Sequence, residues 1–469
     1  MSREKELIKN TGILALGTIF PKVASLLMLP IITGGLTNTE YGLYDLLTTI
    51  VLLLLPVATI QLQAAVFRFL IEAREDETEQ KGIITNVLVF TVCSSAVVLT
   101  IMYFFLNSFS QIERIVIILY YFLDIYVITL RQVARGLAKN MAYSISVIIH
   151  SFCELGGVVI FLELLHTGLL GVLISICISL FLSAVYLSWK IRIARYIDFQ
   201  LLSKKKLLEM IKYAWPMIPN SLSSWVMSLS DRLVVSGIIG LEANAIYAAA
   251  NKIPNLFGIV QSTVNLSWQE NASIASGDTD SAEYFNRMFQ RLFSILFGCM
   301  TLLIAAAPLL FRLLIRGNYQ DAYIHMIILF FASYCASISS FLGGIYIANK
   351  RTKEIGITTL IAAGINLLID LTFVHTIGIY AASISTLVSY IFLVVFRMIN
   401  IQRFQKINFN IPFILLSSTT LVIMCFLCSY QKTSLNIVNV CLAIPIAILA
   451  NRETIKRLFA KASRKIKKD

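Results

Sequence analysis

Long apolar runs separated by short polar segments recur along the whole chain. A bilayer core takes about 20 apolar residues per helix. Reading by that length gives fourteen candidate spans, at 11–34, 41–67, 83–106, 115–130, 141–162, 168–189, 213–237, 244–268, 288–311, 322–348, 355–375, 378–396, 410–430 and 435–450. The expected fold class is therefore an all-α integral membrane protein. The loops on the expected outer side are at most about ten residues long, too short to house the external site that a glycan polymerase needs.

The runs also repeat. "ELIKN" at 6–10 matches "EMIKY" at 209–213. The same offset, carried on without a gap, places Thr18 on Ser221, Ser25 on Ser228, and Leu43-Tyr44 on Ile246-Tyr247. The pattern predicts an N-lobe of six spans over 1–189, a basic linker over 190–212 and a C-lobe of six spans over 213–400. Spans thirteen and fourteen follow over 401–450, then a basic tail over 451–469. An even number of spans per copy makes the repeat parallel, about an axis along the membrane normal.

Composition agrees: 58% of residues are hydrophobic and 14% are charged, against about 25% charged in soluble domains. The net charge of +13 would suit nucleic acid, but its distribution does not. Of the 39 Lys and Arg, 32 fall in the terminal and alternate connecting segments or, for Arg291, at the adjoining end of a span, Arg131 and Arg397 among them, whereas the opposite loops hold only Arg114, Arg312, Arg316 and Lys432. This is the positive-inside asymmetry. It predicts a membrane protein with both termini cytoplasmic and no nucleic-acid partner. "MSREKELIKN" leads into a long run without a small-residue exit site, so the first run is expected to remain as a helix. The eight cysteines all lie in apolar runs, and the Cys425/Cys428 pair encloses Phe426-Leu427, so neither disulfides nor zinc are expected.

Polar residues inside the spans mark the wet faces, because a polar group facing lipid is costly. Thr11, Thr18, Lys22 and Ser25 share one face of the first span. Ser221, Ser224, Ser228, Asp231 and Arg232 line the seventh. The eighth carries Asn244, Tyr247, Asn251, Asn255, Gly258, Ser262 and Asn265, with Lys252 beside them. The second holds Asp45, Thr48, Thr49, Gln61 and Gln63, and Arg68 sits at its end. The expectation is one cavity lined by these four spans. Asp231 and Arg232 are neighbours in sequence and point about 100° apart on a helix, so they need different partners. Asp124, Glu154 and Asp370 are read as packing or pairing residues. Pro21, Pro56, Pro216, Pro219 and Pro254 interrupt the same four spans. The four histidines lack metal-ligand spacing, "DTD" at 278–280 sits in a turn-rich loop, and no phosphate-binding Gly-rich loop with lysine occurs. No metal, cofactor or enzymatic site is expected.

"LPIITGGLTNTEYGLYDL" at 29–46 and "SDRLVVSGIIGLEANAIYAAANKIPN" at 230–255 resemble the two halves of oligosaccharide flippases of the polysaccharide biosynthesis family (Wzx type), in the multidrug/oligosaccharidyl-lipid/polysaccharide (MOP) exporter superfamily. The resemblance implies fourteen helices, two six-helix lobes and translocation of undecaprenyl-diphosphate-linked oligosaccharide by alternating access. It also implies cationic residues on the first, second and eighth helices that meet the lipid diphosphate, matched here by Lys22, Arg68 and Lys252. Two of the three are lysines, which lack arginine's bidentate fork. Together with the polar stripes, this gives as substrate-binding candidates Lys22, Arg68, Arg232, Lys252, Asn251, Asn255, Ser228 and Ser262. Asp45 and Asp231 are the candidates for coupling to a proton or sodium ion. Expected partners are the polyprenyl-diphosphate-linked glycan, membrane lipid, and a glycan polymerase or other assembly protein. A lipid II flippase and a multidrug/cation antiporter stand as alternatives within the superfamily, with a polymerase or an assembly scaffold behind them.

Overall fold

A computed structural model describes residues 3–275, 281–452 and 455–456. The 278–280 "DTD", most of the basic tail, and the side chains of Thr11, Thr18 and Ser262 lie outside the described residues. The chain is all-helical, with sixteen α-helices among the described residues. Ten of the helical stretches are long and apolar enough to cross a membrane, and Phe20–Gly35 forms a shorter apolar stretch. It is a multi-pass membrane protein, built as two compact units, Met1–Trp225 and Val226–Asp469.

The first unit contains α1 (Arg3–Gly35), α2 (Asn38–Thr59), α3 (Leu62–Glu72), α4 (Glu77–Phe105), α5 (Gln111–Gly136), α6 (Asn140–Val158), α7 (Gly168–Ile191), α8 (Lys204–Ala214) and the start of α9 (Met217–Ile238). Local chemistry sets the helix starts. Thr37 with Glu40 and Ser110 with Glu113 form capping boxes that satisfy the first amides of α2 and α5. Asp76 and Ser203 cap α4 and α8. A one-turn π segment, Val159–Leu164, extends α6. α6 packs on α1 and on α7, and α7 also packs on α5.

The second span predicted from sequence proves to be two helices. Pro56 lies inside α2, and the chain then passes through Ile60 and Gln61 with φ of 50° and 60°. Left-handed backbone is unusual for any residue with a Cβ and most costly for a β-branched one. Side chains brace the break: Thr59 Oγ1 donates to Gln63 Oε1 at 2.5 Å, Gln63 Nε2 to Gln61 Oε1 at 2.9 Å, and Gln61 Nε2 to Ser221 Oγ at 2.7 Å. Ser94 Oγ donates to the Ala58 carbonyl at 2.6 Å.

The second unit holds the rest of α9, α10 (Leu241–Ala275), α11 (Ser281–Leu314), α12 (Ala322–Ala348), α13 (Thr352–Ile377), α14 (Ile379–Ile401), α15 (Ile411–Ser429) and α16 (Thr433–Ala450). Here α12 packs on α10 and α14, and α13 on α14. α15 and α16 pack on α11, the former through Phe413, 5.6 Å from Phe293, and through Phe409 just before it, 5.0 Å from Phe289. Small residues permit the tightest approaches. A Cβ on Gly344 would sit 2.4 Å from the Trp268 indole nitrogen, and one on Gly17 2.8 Å from Ser144 Oγ.

Two cations assigned from sequence to connecting segments lie inside helices instead. α5 and α14 run past the predicted span ends at 130 and 396, to Gly136 and Ile401. Arg131 is half-buried, and Arg397 is buried among hydroxyls, with Nη1 donating to Ser339 Oγ at 3.0 Å and Nη2 to Thr359 Oγ1 at 3.1 Å. Hydroxyl solvation of these guanidinium groups is what allows the helices to continue past them.

Candidate functional site

In the second unit, four helices bring polar groups to one buried point. Asp231 of α9 accepts two short bonds on Oδ2, from Tyr247 Oη of α10 and from Thr386 Oγ1 of α14, both at 2.6 Å. Asp370 of α13 accepts from Ser385 Oγ at 2.7 Å and stands within hydrogen-bonding reach of Asp231. Asn366, one turn before Asp370, donates to Ser385 Oγ at 3.2 Å and accepts from Ser230 Oγ at 3.3 Å. Asp231 and Asp370 are each 1% exposed. Their other oxygens, Asp231 Oδ1 and Asp370 Oδ2, are buried without a hydrogen-bond donor among the described residues. Two ionised carboxylates so close repel strongly in a low-dielectric interior. The arrangement is stable when a proton or a small cation joins them, and two carboxylates with amide and hydroxyl oxygens form a hard, oxygen-rich ligand set for either.

Asp231 and Arg232 do diverge, as their sequence adjacency requires. Asp231 turns to Tyr247 and Thr386, while Arg232 is buried on a different face of α9. Asp370, read from sequence as a packing or pairing residue, lies beside Asp231, a neighbour that reading did not name. The signal was present in sequence as Asn366 and Asp370, four apart on α13, opposite the Ser383-Ser385-Thr386-Ser389 run of α14.

The first unit has its own ionisable group of side chains. Arg131 of α5 donates from Nε to Ser146 Oγ at 3.4 Å and from Nη2 to Ser183 Oγ at 3.3 Å. Asp124, two turns earlier on α5, lies in electrostatic range of both Arg131 and Glu154. His150 of α6 meets Ser179 Oγ through Nδ1 at 2.9 Å, and its Nε2 is 3.6 Å from Glu154 Oε2. Because the Ser179 hydroxyl donates to the Ile176 carbonyl at 2.8 Å, the hydrogen of the His150 contact belongs on Nδ1. Asp45 of α2 is buried separately, and its carbonyl accepts from Thr48 Oγ1 at 2.9 Å.

The remaining sequence candidates are spread along the helices. Lys22 is half-buried on α1. Lys252 and Asn251 are half-buried on α10, with Asn251 Nδ2 donating to the Tyr247 carbonyl at 2.9 Å, and Asn255 is exposed one turn further on. Ser228 is exposed on α9, and Ser262 is outside the described side chains. Arg68 differs from the other cations: it sits near the end of the short α3, more than half exposed, and pairs with Glu72 at 2.8 Å. That is the geometry of a solvated helix end. The α10 stripe thus divides, Tyr247 joining the carboxylates while Asn251, Lys252 and Asn255 continue toward an open face.

Comparison with known proteins follows the same lines. The family described as Polysaccharide biosynthesis protein matches residues 7–270, more than half of the chain. No individual curated protein matches it. Among solved structures, lipid II flippase MurJ in an inward closed conformation superposes with a TM-score of 0.70 at 16% identity, covering 96% of this chain and 100% of its own. An inward-facing multidrug resistance MATE family transporter of the MOP superfamily gives 0.68 at 14% identity, covering 84% of this chain and 98% of its own. A MOP superfamily transporter from Pyrococcus furiosus, described as having reversed binding-pocket polarity, gives 0.55 at 13% identity, covering 84% and 95%. At these identities the likeness is one of fold.

Proposed function

The chain belongs to the polysaccharide biosynthesis protein family of the MOP exporter superfamily and is an alternating-access membrane transporter, not an enzyme, and from that premise we propose that it translocates a polyprenyl-diphosphate-linked oligosaccharide across the cytoplasmic membrane. The family match over residues 7–270 carries this reading. Lys22, Arg232 and Lys252 supply positive charge within membrane helices, where a diphosphate needs a substitute for its hydration. Asn251, Asn255 and Ser228 offer amide and hydroxyl groups suited to sugar hydroxyls. Arg68, tied to Glu72 at an exposed helix end, contributes least to this set. The lobe and linker boundaries of the sequence reading, fourteen spans and cytoplasmic termini belong to the same proposal, the last supported by the loop charge asymmetry.

Turnover is coupled to an ion at Asp231 and Asp370. One charge moved down a membrane potential contributes about 2.3 kcal/mol per 100 mV, and a carboxyl pair that takes up one proton or sodium ion gives that charge a seat. Asp45 is the corresponding candidate in the first unit.

A second reading, a lipid II flippase or a multidrug/cation antiporter, has the stronger support from solved structures, since the lipid II flippase superposes over 96% of this chain. The readings separate in proteoliposomes loaded in turn with undecaprenyl-diphosphate-linked oligosaccharide, lipid II and a lipophilic cation. The first reading expects the oligosaccharide to move and the other two to stay. Movement of lipid II or of the cation alone would replace it with the second.

A further inference from the structure

The segment between α7 and α9 has two contrasting sides. Its inner side is stapled to α4. Thr85 Oγ1 donates to the Tyr196 carbonyl and accepts from the Asp198 amide, both at 3.0 Å. Asn86 donates to the Leu201 carbonyl at 3.2 Å and accepts from the Ser203 amide at 3.1 Å. Glu77 binds Arg195 through two bonds of 3.1 and 3.2 Å, and Glu79 meets Lys206 at 2.5 Å. Burial would pull the Lys206 ammonium down, but Glu79 and Glu209 reverse this and raise it above the ordinary lysine value. Met210 and Ala214 complete the inner face of α8 with no exposure at all.

The outer side is apolar and cationic together. Phe199 is 68%, Trp215 56%, Leu208 53% and Leu202 44% exposed. Lys204, Leu208, Lys212 and Trp215 follow one face of α8, opposite Met210 and Ala214, with Lys205 alongside. Between Trp189 and Trp215 the chain carries seven cations against two acids, Asp198 and Glu209, and Glu77 and Glu79 of α4 neutralise only Arg195 and Lys206. One end continues from a helix long and apolar enough to cross a membrane, which ends at Ile191, and the other leads into α9 at Met217, which places the segment next to the bilayer. Aromatic and leucine side chains flanked by lysines are the composition of an interfacial helix, and the excess of positive charge complements anionic headgroups.

We propose that residues 199–215 are a membrane-surface docking element that seats its Phe199, Leu202, Leu208 and Trp215 face among anionic phospholipids, with Lys204, Lys205 and Lys212 on their phosphates. The stapling to α4 fixes the backbone, so that this face is already presented to the bilayer. The occupant is the lipid surface, and a protein partner is the competing outcome.

The test uses the full-length protein in nanodiscs of phosphatidylcholine alone and of phosphatidylcholine with phosphatidylglycerol, read by amide hydrogen exchange. Exchange across 204–212 is expected to slow at least fivefold when phosphatidylglycerol is present, corresponding to roughly one lysine–headgroup contact, and to recover in 0.5 M salt. The combined K204Q, K205Q and K212Q variant should lose the lipid effect while peptides containing Thr85 and Asn86 keep their protection, which shows that the staple and the fold are intact. Equal exchange in both lipids, or a lipid effect that persists in the triple variant, overturns the proposal. Protection that appears only when a cytosolic fraction is added also overturns it, in favour of a protein partner.

Discussion

The two units bury ionisable groups in opposite ways. In the first unit, the acids Asp124 and Glu154 lie beside the bases Arg131 and His150, and serines of α6 and α7 fix the bases in place. In the second, Asp231 and Asp370 lie beside each other, and their bonds come from hydroxyl groups of Tyr247, Thr386 and Ser385. A cluster in which a guanidinium held by serines lies in electrostatic range of an acid carries part of its counter-charge as folded and is suited to holding helices in register. A pair of like groups is incomplete until a proton or cation arrives, so its protonation or occupancy is free to track the state of the transporter. Under the proposed function we read the difference as structure for the first cluster and ion coupling for the second.

The strongest way to break this assignment is to remove the like-charge pair. Asp231→Asn and Asp370→Asn are each expected to reduce gradient-driven transport at least tenfold, with exchange in the absence of a gradient much less affected. The double variant should be no worse than either single one, because groups that act as a unit lose their function together. Transport assays in proteoliposomes with and without an uncoupler or sodium ionophore decide it. Full gradient response in both single variants would remove the coupling role.

The matching change in the first unit should act on stability. Arg131→Met leaves the Ser146 and Ser183 oxygens without this donor and Asp124 without its nearby positive charge, a loss of about 1–3 kcal/mol for each buried group left unsatisfied. A lowered thermal midpoint in detergent is therefore expected, and Asp124→Asn in the same chain should recover part of it by removing the uncompensated charge. The wild-type gradient response should survive in whatever fraction remains folded. Loss of coupling at unchanged stability would reverse the roles of the two clusters.

A smaller effect sharpens the same picture at Asn366, which carries no charge and bridges Ser230 to Ser385. Asn366→Ala removes one amide from the oxygen set and two buried hydrogen bonds, at a cost of about 1–2 kcal/mol. Its signature is a several-fold rise in the ion concentration needed for half-maximal transport, with maximal rate preserved. An equal loss of rate at all ion concentrations would make it a packing residue.

How much of this was legible in the sequence depends on what each pattern encodes. Hydrophobic run length encodes helix position well, and each of the fourteen runs coincides with one helix or, for 41–67 and the start of 213–237, with two. Run length fails where a charge is solvated by protein instead of water, which is why α5 and α14 continue past Arg131 and Arg397. Polar spacing identified Asp231 and the α10 stripe, since one helix face suffices to show them. It marks Asn366 and Asp370 as one polar face of α13 but could not show that Asp370, distant in sequence, closes on Asp231. It also could not separate Arg68, which pairs with a neighbour four residues on, from cations set deeper in the helices. Proline marked α2 as irregular, but the break itself falls four residues later, where no sequence signal points to left-handed backbone.

That break offers the finest contrast between the units. The sequence repeat predicts that the second span of each half is equivalent, yet in the first it parts at Ile60–Gln61, and in the second α10 runs unbroken through Pro254. Glycine normally destabilises a helix interior by about 1 kcal/mol relative to alanine, whereas a residue held at positive φ favours glycine by a similar amount. At position 60, Ile60→Gly is therefore expected to be more stable than Ile60→Ala, by about 1 kcal/mol, the side-chain loss being nearly common to both. At Asn255, exposed in the middle of α10, the order should invert, with Asn255→Ala more stable than Asn255→Gly by about the same margin. Thermal midpoints of the four purified variants measure both orders side by side. Alanine above glycine at both positions would mean that the chain at Ile60 relaxes to ordinary helix in the membrane, and that the second spans of the two units are alike after all.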